Sequence, residues 1–151
     1  MKDGLTLLLL FAFGPLKRKV CGNDFFIKSV QKYLEGDYLQ GQKIERKLPR
    51  QLKTAWPKLL EISKKNKTTP LSFKNVSIYV FKSHNRFVLP ECRVQSGIIE
   101  KILDKKNILL IKKRKERIKV RFLKPLKEKL KPGDKIFFHH GWLIGTNALS
   151  R

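Results

Sequence analysis

Two short segments of this 151-residue chain carry residue types able to do chemistry. One runs Cys92-Arg93-Val94-Gln95-Ser96-Gly97, the other Gly133-Asp134-Lys135-Ile136-Phe137-Phe138-His139-His140-Gly141. A thiolate and an imidazole are soft and borderline ligands suited to iron or zinc. Cys92 and a histidine of the second segment are therefore able to ligate a metal. Two protein donors fall short of the four that a structural zinc takes. No second Cys stands within four residues of Cys92, so a zinc ribbon is not expected. His139 and His140 are adjacent, so in a strand they face opposite ways. With Ile136 and Phe138 inward, His140 takes the core face and His139 the face of Phe137. His84, within Lys82-Ser83-His84-Asn85-Arg86, reads as part of a surface turn.

Signatures of catalysis are missing: there is no phosphate-cradling Gly-rich loop, no His-Glu-x-x-His and no nucleophile elbow. A Cys92–His139 nucleophile pair needs an orienting Asp or Asn. Asp134 and Asn147 are on hand, with no signature around them, and the chain is expected not to be an enzyme. The rival chemistry is electrostatic. Lys112, Lys113, Arg114, Lys115 and Arg117, then Lys119 and Arg121, make a basic run on a β-ribbon. Alternate residues of such a run present one charged face to a phosphate backbone. Small barrels that bind single strands also stack bases on aromatics. Tyr79, Phe81, Phe87 and Trp142 are the candidates, each equally able to be core. No RNP-like or KH-like signature is present, so RNA or single-stranded DNA would be bound without sequence preference.

The charge is extreme, 35 basic against 12 acidic residues, a net +23. Both halves share it, +9 before Leu71 and +14 from there on. Such a field attracts polyanions and steers acidic partners. With 41% hydrophobic residues the chain can also bury a core. Cys21 and Cys92 are the only cysteines, and free thiols in a reducing cytosol are expected, hence a cytoplasmic location. The apolar run Leu5 to Phe13 is followed by Lys17-Arg18-Lys19 and no small-residue cleavage site. It is too short for a bilayer, which takes about 20 apolar residues. It reads as a buried helix, and no transmembrane segment is expected.

Periodicity places these residues on elements. Residues 1–70 read as helical, with Asn23 as a cap, Phe26, Val30, Tyr33 and Leu34 as one apolar stripe, and Gly36 as a stop. Ile44, Leu48, Leu52 and Trp56 form a second stripe, broken or turned at Pro49 and Pro57. The polar stretch from Lys64 to Pro70 reads as a linker. From residue 73 the period becomes two, and Val76, Ile78 and Val80 read as a strand. Four more strands follow, through Val94–Ile102, Ile108–Ile111, Ile118–Phe122 and Ile136–Phe138, with turns at Asp104-Lys105-Lys106-Asn107 and Lys131-Pro132-Gly133-Asp134. Val94, Ile98, Ile108, Leu110, Ile118, Val120, Phe122 and Phe138 are the expected barrel core. The fold class is α+β: a helical region, 1–70, packed on a small OB- or SH3-like β-barrel, 71–151.

Cys92, Gly97, the Gly133-Asp134 pair, His139 and Gly141 stand in the order and near the separation of the motifs of HypC/HupF-type hydrogenase-maturation chaperones. The chain resembles that family over its barrel. Matched by position, Cys92 takes the place of the family's Cys and His139 that of its His, with Gly97, Gly133, Asp134 and Gly141 as structural motif residues. The resemblance implies a non-enzymatic, chaperone-like accessory protein of metalloenzyme maturation. It implies iron held transiently as cargo through Cys92 and His139, and a protein partner in metallocentre assembly. In the family the Cys stands at the N-terminus, whereas Cys92 is internal. Over its whole length the chain is also similar to a family of unassigned function, in places encoded near hydrogenase genes. That likeness rests on Cys21-Gly22, Ala55-Trp56-Pro57, Val76–Phe81, Cys92-Arg93-Val94 and Pro132-Gly133-Asp134…His139-His140-Gly141-Trp142.

Overall fold

The computed structural model of the protein describes residues 3–18 and 24–146. Its first helix, α1 (Gly4–Lys17), is buried on every side from Gly4 to Leu16. A helix apolar all round belongs in an interior, and the expected buried reading of Leu5–Phe13 holds. Asp3 caps it: one carboxylate oxygen accepts from the Leu5 amide, the other from the Thr6 and Tyr33 hydroxyls. No helix among the described residues is long and apolar enough to cross a membrane.

Around α1 stand α2 (Asp24–Leu34), α3 (Gly41–Gln51) and α4 (Ala55–Asn66). Phe26, Val30 and Tyr33 of α2 are buried, as are Ile44 and Leu48 of α3, so both expected stripes face the core. Gly36 takes φ 118 just past α2, the stop read from the sequence. Asn23, the expected cap of α2, lies outside the described residues. Pro49 does not break α3 but sits inside it, near its end.

The segment read as a strand over Val76–Val80 is helical instead. It forms α5 (Phe73–Ile78), then a π-helical turn Tyr79–Ser83, then α6 (His84–Phe87). Ser72 starts α5 by accepting the Asn75 amide at 3.2 Å, an N-cap. Asn75, fully buried, donates to the carbonyls of Leu59 and Pro70, which ties α4 to α5. The helical layer therefore runs on past residue 71 to Phe87.

Five strands follow: β1 (Gln95–Leu103), β2 (Ile108–Lys113), β3 (Glu116–Arg121), β4 (Lys135–His139) and β5 (Trp142–Thr146). They close a barrel in the order β1-β2-β3-β5-β4, antiparallel except for β3 beside β5. The fifth strand is thus Trp142–Thr146 and not the segment at Val76. Within the barrel Val94, Val120, Phe122 and Phe138 are buried as expected. β1 and β2 are in the opposite phase from the one read: Ile99, Leu109 and Ile111 are buried, Ile98 is 42% exposed, and Ile108, Leu110 and Ile118 are half-buried. Gly97 explains the phase, since a Cβ there would lie 2.3 Å from the Ile111 side chain. Only glycine lets β1 turn that face inward against β2.

α1 packs across the outer face of β5 and β4. Gly14 makes the approach close: a Cβ on it would stand 2.5 Å from the His139 carbonyl oxygen. Gly14→Ala should therefore force α1 away from β4 at a cost of roughly 1–3 kcal/mol, the usual range for overpacking, read as a lower urea midpoint. An unchanged midpoint would contradict this packing.

Candidate functional site: the histidine–cysteine cleft

Pro15 lies inside α1 and has no amide hydrogen, so the carbonyl four residues back, that of Phe11, loses its helical donor. His139 occupies that place. Its Nδ1 is 2.7 Å from the Phe11 oxygen, and the ring stacks on Phe11 at 4.3 Å and 7°. Its Nε2 lies 2.9 Å from the carbonyl oxygen of Cys92. Only an imidazolium could donate to both oxygens. Burial, at 2% exposure, pushes His139 down to about 4, outweighing the two carbonyls, and His140 and His84 push the same way. The ring is therefore neutral near pH 7. A neutral ring has one proton for two carbonyls, and the shorter contact, to the Phe11 oxygen that Pro15 leaves without an amide, assigns it to Nδ1. Nε2 is left with a lone pair turned toward the Cys92 segment.

The β4–β5 hairpin presents this ring. His139 pairs with Trp142 across a two-residue turn, His140 at φ 50 and Gly141 at φ 79. Two left-handed residues suit the twist of such a hairpin. His139 shares the outer face with Phe137, as read from the sequence, and α1 covers that face. His140 does not take the core face: it leaves the strand into the turn and is half-buried. Gly133 takes φ 93 in the turn before β4. Asp134 serves the same turn, accepting the Lys131 amide at 3.2 Å. Its carboxylate does not orient His139.

Cys92 sits in a single 3-10 turn, Pro90–Cys92, and is half-buried with a free thiol. Asn85 of α6 positions this connection. Its side chain accepts the Val94 amide at 2.8 Å and donates to the Val94 carbonyl at 3.1 Å. With its amide fixed in this way, Asn85 Oδ1 can only accept from His84 Nδ1, 3.3 Å away.

His84 is the residue the sequence reading missed. It is no surface residue but 6% exposed, with its ring 4.7 Å from Phe11 and 5.0 Å from His139. Burial lowers its pKa. A signal was present: Val76, Val80, His84 and Val88 recur every four residues, a helical stripe. All three histidines of the chain and Cys92 thus line one cleft of about 480 Å³ between the helical layer and the barrel, with Arg50 and Lys53 at its rim.

Cys92 and His139 are brought together. No group of three or more His, Cys, Asp or Glu able to hold an ion occurs among the described residues. Cys21 lies outside the described residues. The basic residues lie on β2, on β3 and in the turn between them. Lys112, Arg114, Lys115, Arg117, Lys119 and Arg121 are exposed there, and Lys113 is half-buried. The aromatic candidates divide: Tyr79 is core at 2% exposure, Phe87 is 44% exposed, and Phe81 and Trp142 are half-buried. Comparison with known proteins finds no family model, no curated protein and no solved structure that matches this chain.

Because the folded chain holds His139 neutral down to about pH 4, the unfolded chain binds the extra proton first as pH falls below about 6.5. Stability should drop across that window, by on the order of 3 kcal/mol from this residue. His84 and His140, also lowered, add loss of the same sign. Urea titrations from pH 7 to pH 4 should show a shallower loss in His139→Asn than in the wild type. Parallel losses would contradict the neutral, buried ring.

Proposed function

We propose that this protein is a non-enzymatic accessory protein of metalloenzyme maturation, handling a soft or borderline cation, iron by the family resemblance, at His139 Nε2 and the Cys92 thiolate. The observation that carries the reading is the hydrogen bond from His139 Nδ1 to the Phe11 carbonyl. Metal-binding imidazoles characteristically spend the second nitrogen on a carbonyl or carboxylate, which fixes the tautomer and raises the basicity of the other. Here that bond aims a lone pair at the Cys92 carbonyl, and an uncharged nitrogen facing an oxygen is relieved by a cation between or beside them.

The rest of the setting agrees with cargo and not with a resident ion. Two side-chain donors leave positions for ligands from a partner. Cys92 is half-exposed on a connection between the two layers, where a partner can reach it. The strand order β1-β2-β3-β5-β4 with β3 and β5 parallel is that of OB-type barrels, the kind of barrel the family resemblance implies. Asp134 is occupied in its turn and does not orient the Cys–His pair as a nucleophile would need; Asn147, the other residue named for that part, lies outside the described residues.

The test is anaerobic loading with iron(II), and with cobalt(II) as a coloured substitute, followed by desalting. The wild type should hold about one ion per chain, with a thiolate-to-cobalt charge-transfer band. Cys92→Ala should lose both, Cys21→Ala should keep both, and His139→Gln should keep the band but hold the ion at least tenfold more weakly. Equal metal content in the wild type and Cys92→Ala overturns the reading.

A further inference from the structure

A second pocket, which shares His140 with the cleft, lies where the end of α1 meets the barrel. A pocket of about 700 Å³ is lined by Lys17, Arg18, Lys119, Arg121, His140 and Trp142, and no acidic residue lines it. The four permanent cations come from two distant stretches of sequence, the last turn of α1 and alternate positions of β3. Among the described residues none of the four has an ion-pair partner. Arg18 is braced by a neutral group: Nη1 is 3.3 Å from His140 Nδ1. Guanidinium only donates, so His140 Nδ1 accepts and its proton sits on Nε2, a further donor. The Arg18 charge is thus held in place without being cancelled. Trp142 meets Phe13 edge-to-face at 4.8 Å and is half-exposed beside the cations.

The pocket opens onto a row. Arg121, Lys119 and Arg117 are all exposed on the outer face of β3, with Lys112 across from Arg117 on β2. Of these, Arg117 is engaged by Glu100 at 3.0 Å. Alternate residues of a strand stand about 7 Å apart, comparable to the separation of successive phosphates on an extended single strand. An indole among the cations offers a stacking face that any base can use. A carboxylate-rich peptide would use the charges but not the indole.

We propose that this junction pocket and the β3 row form a binding track for single-stranded nucleic acid, with phosphates on Arg18, Arg121, Lys17 and Lys119 and a base against Trp142. It joins the basic hairpin and the Trp142 candidate legible in the sequence to two residues at the end of α1. The proposal is independent of the metal reading, which uses other atoms.

The experiment is anisotropy titration of a labelled oligouridylate over a salt series, starting at low salt and including about 150 mM. Binding should weaken linearly in log–log form. Arg18→Gln/Arg121→Gln should weaken it roughly tenfold or more and lower the salt slope by about 2. Lys17→Gln/Lys119→Gln should act alike. The remote, exposed pair Lys64→Gln/Lys65→Gln, at the end of α4, removes the same charge and should leave the slope unchanged. The chain has two tryptophans, so Trp56→Phe leaves Trp142 as the sole indole, and bound oligonucleotide should quench it. Equal losses from the remote pair would overturn the track in favour of diffuse charge. Displacement by polyglutamate as readily as by unlabelled oligonucleotide would assign the site to an acidic protein instead. An unquenched Trp142 in the bound state, or no binding at about 150 mM salt, overturns the proposal as well.

Discussion

Pro15 stands in the last turn of a helix that is buried on all sides, and the amide it lacks leaves the Phe11 carbonyl without a helical donor. A buried carbonyl left unpaired costs about 1–3 kcal/mol, and Phe11 is 5% exposed. The bond from His139 removes that cost and joins the helical layer to the barrel at one point. Much else follows from it. Gly14 has to be small so that α1 can come near the His139 backbone. The β4–β5 turn has to be tight and left-handed, as His140 and Gly141 make it, so that His139 ends β4 under the helix. The imidazole, stacked on Phe11 and sealed from water, is neutral in one tautomer. Its reactive nitrogen is then aimed by the helix and not by a carboxylate.

The helices also divide the barrel. α1 covers β4 and β5, whereas the outer faces of β2 and β3 carry exposed cations. A bare strand face in a chain of net charge +23 is a place where polyanions accumulate. Glu116 opens β3 and Glu100 pairs with Arg117, which leaves Lys119 and Arg121 without an ion-pair partner among the described residues.

Much of this was legible in the residues. The all-apolar α1, the stripes of α2 and α3, the turn at Asn107 and the strands from β1 to β4 follow from periodicity and turn chemistry, and so does the placing of His139 beside Phe137. Other features were not, β5 and the place of His140 in the turn among them. Val76-Ser77-Ile78-Tyr79-Val80 alternates like a strand and is rich in β-branched residues, but the Ser72 cap and the carbonyls awaiting Asn75 lie outside that window and decide for a helix. The phase of β1 and β2 turns on Gly97, whose role is to be missing a side chain against Ile111, something no local pattern expresses. His84 looked like a turn residue because Lys82, Asn85 and Arg86 surround it. It faces inward because the π-helical turn at Tyr79–Ser83 carries the chain one residue further round before α6 begins.

The same helix end serves both candidate sites. Phe11 and Pro15 of α1 line the histidine–cysteine cleft, and Lys17 and Arg18, within one further turn, line the basic pocket. The His139-His140 dipeptide joins them: His140 lines both, and the two rings meet edge-to-face at 4.6 Å. Their different hydrogen-bond partners sort the chemistry. His139, stripped of water and held by carbonyls, keeps a lone pair. His140, beside Arg18, gives its lone pair to a guanidinium and presents an N–H. The cation site and the anion site proposed above can therefore adjoin on one turn without neutralising each other, because neither imidazole is charged and the ring beside Arg18 is the one that accepts from it.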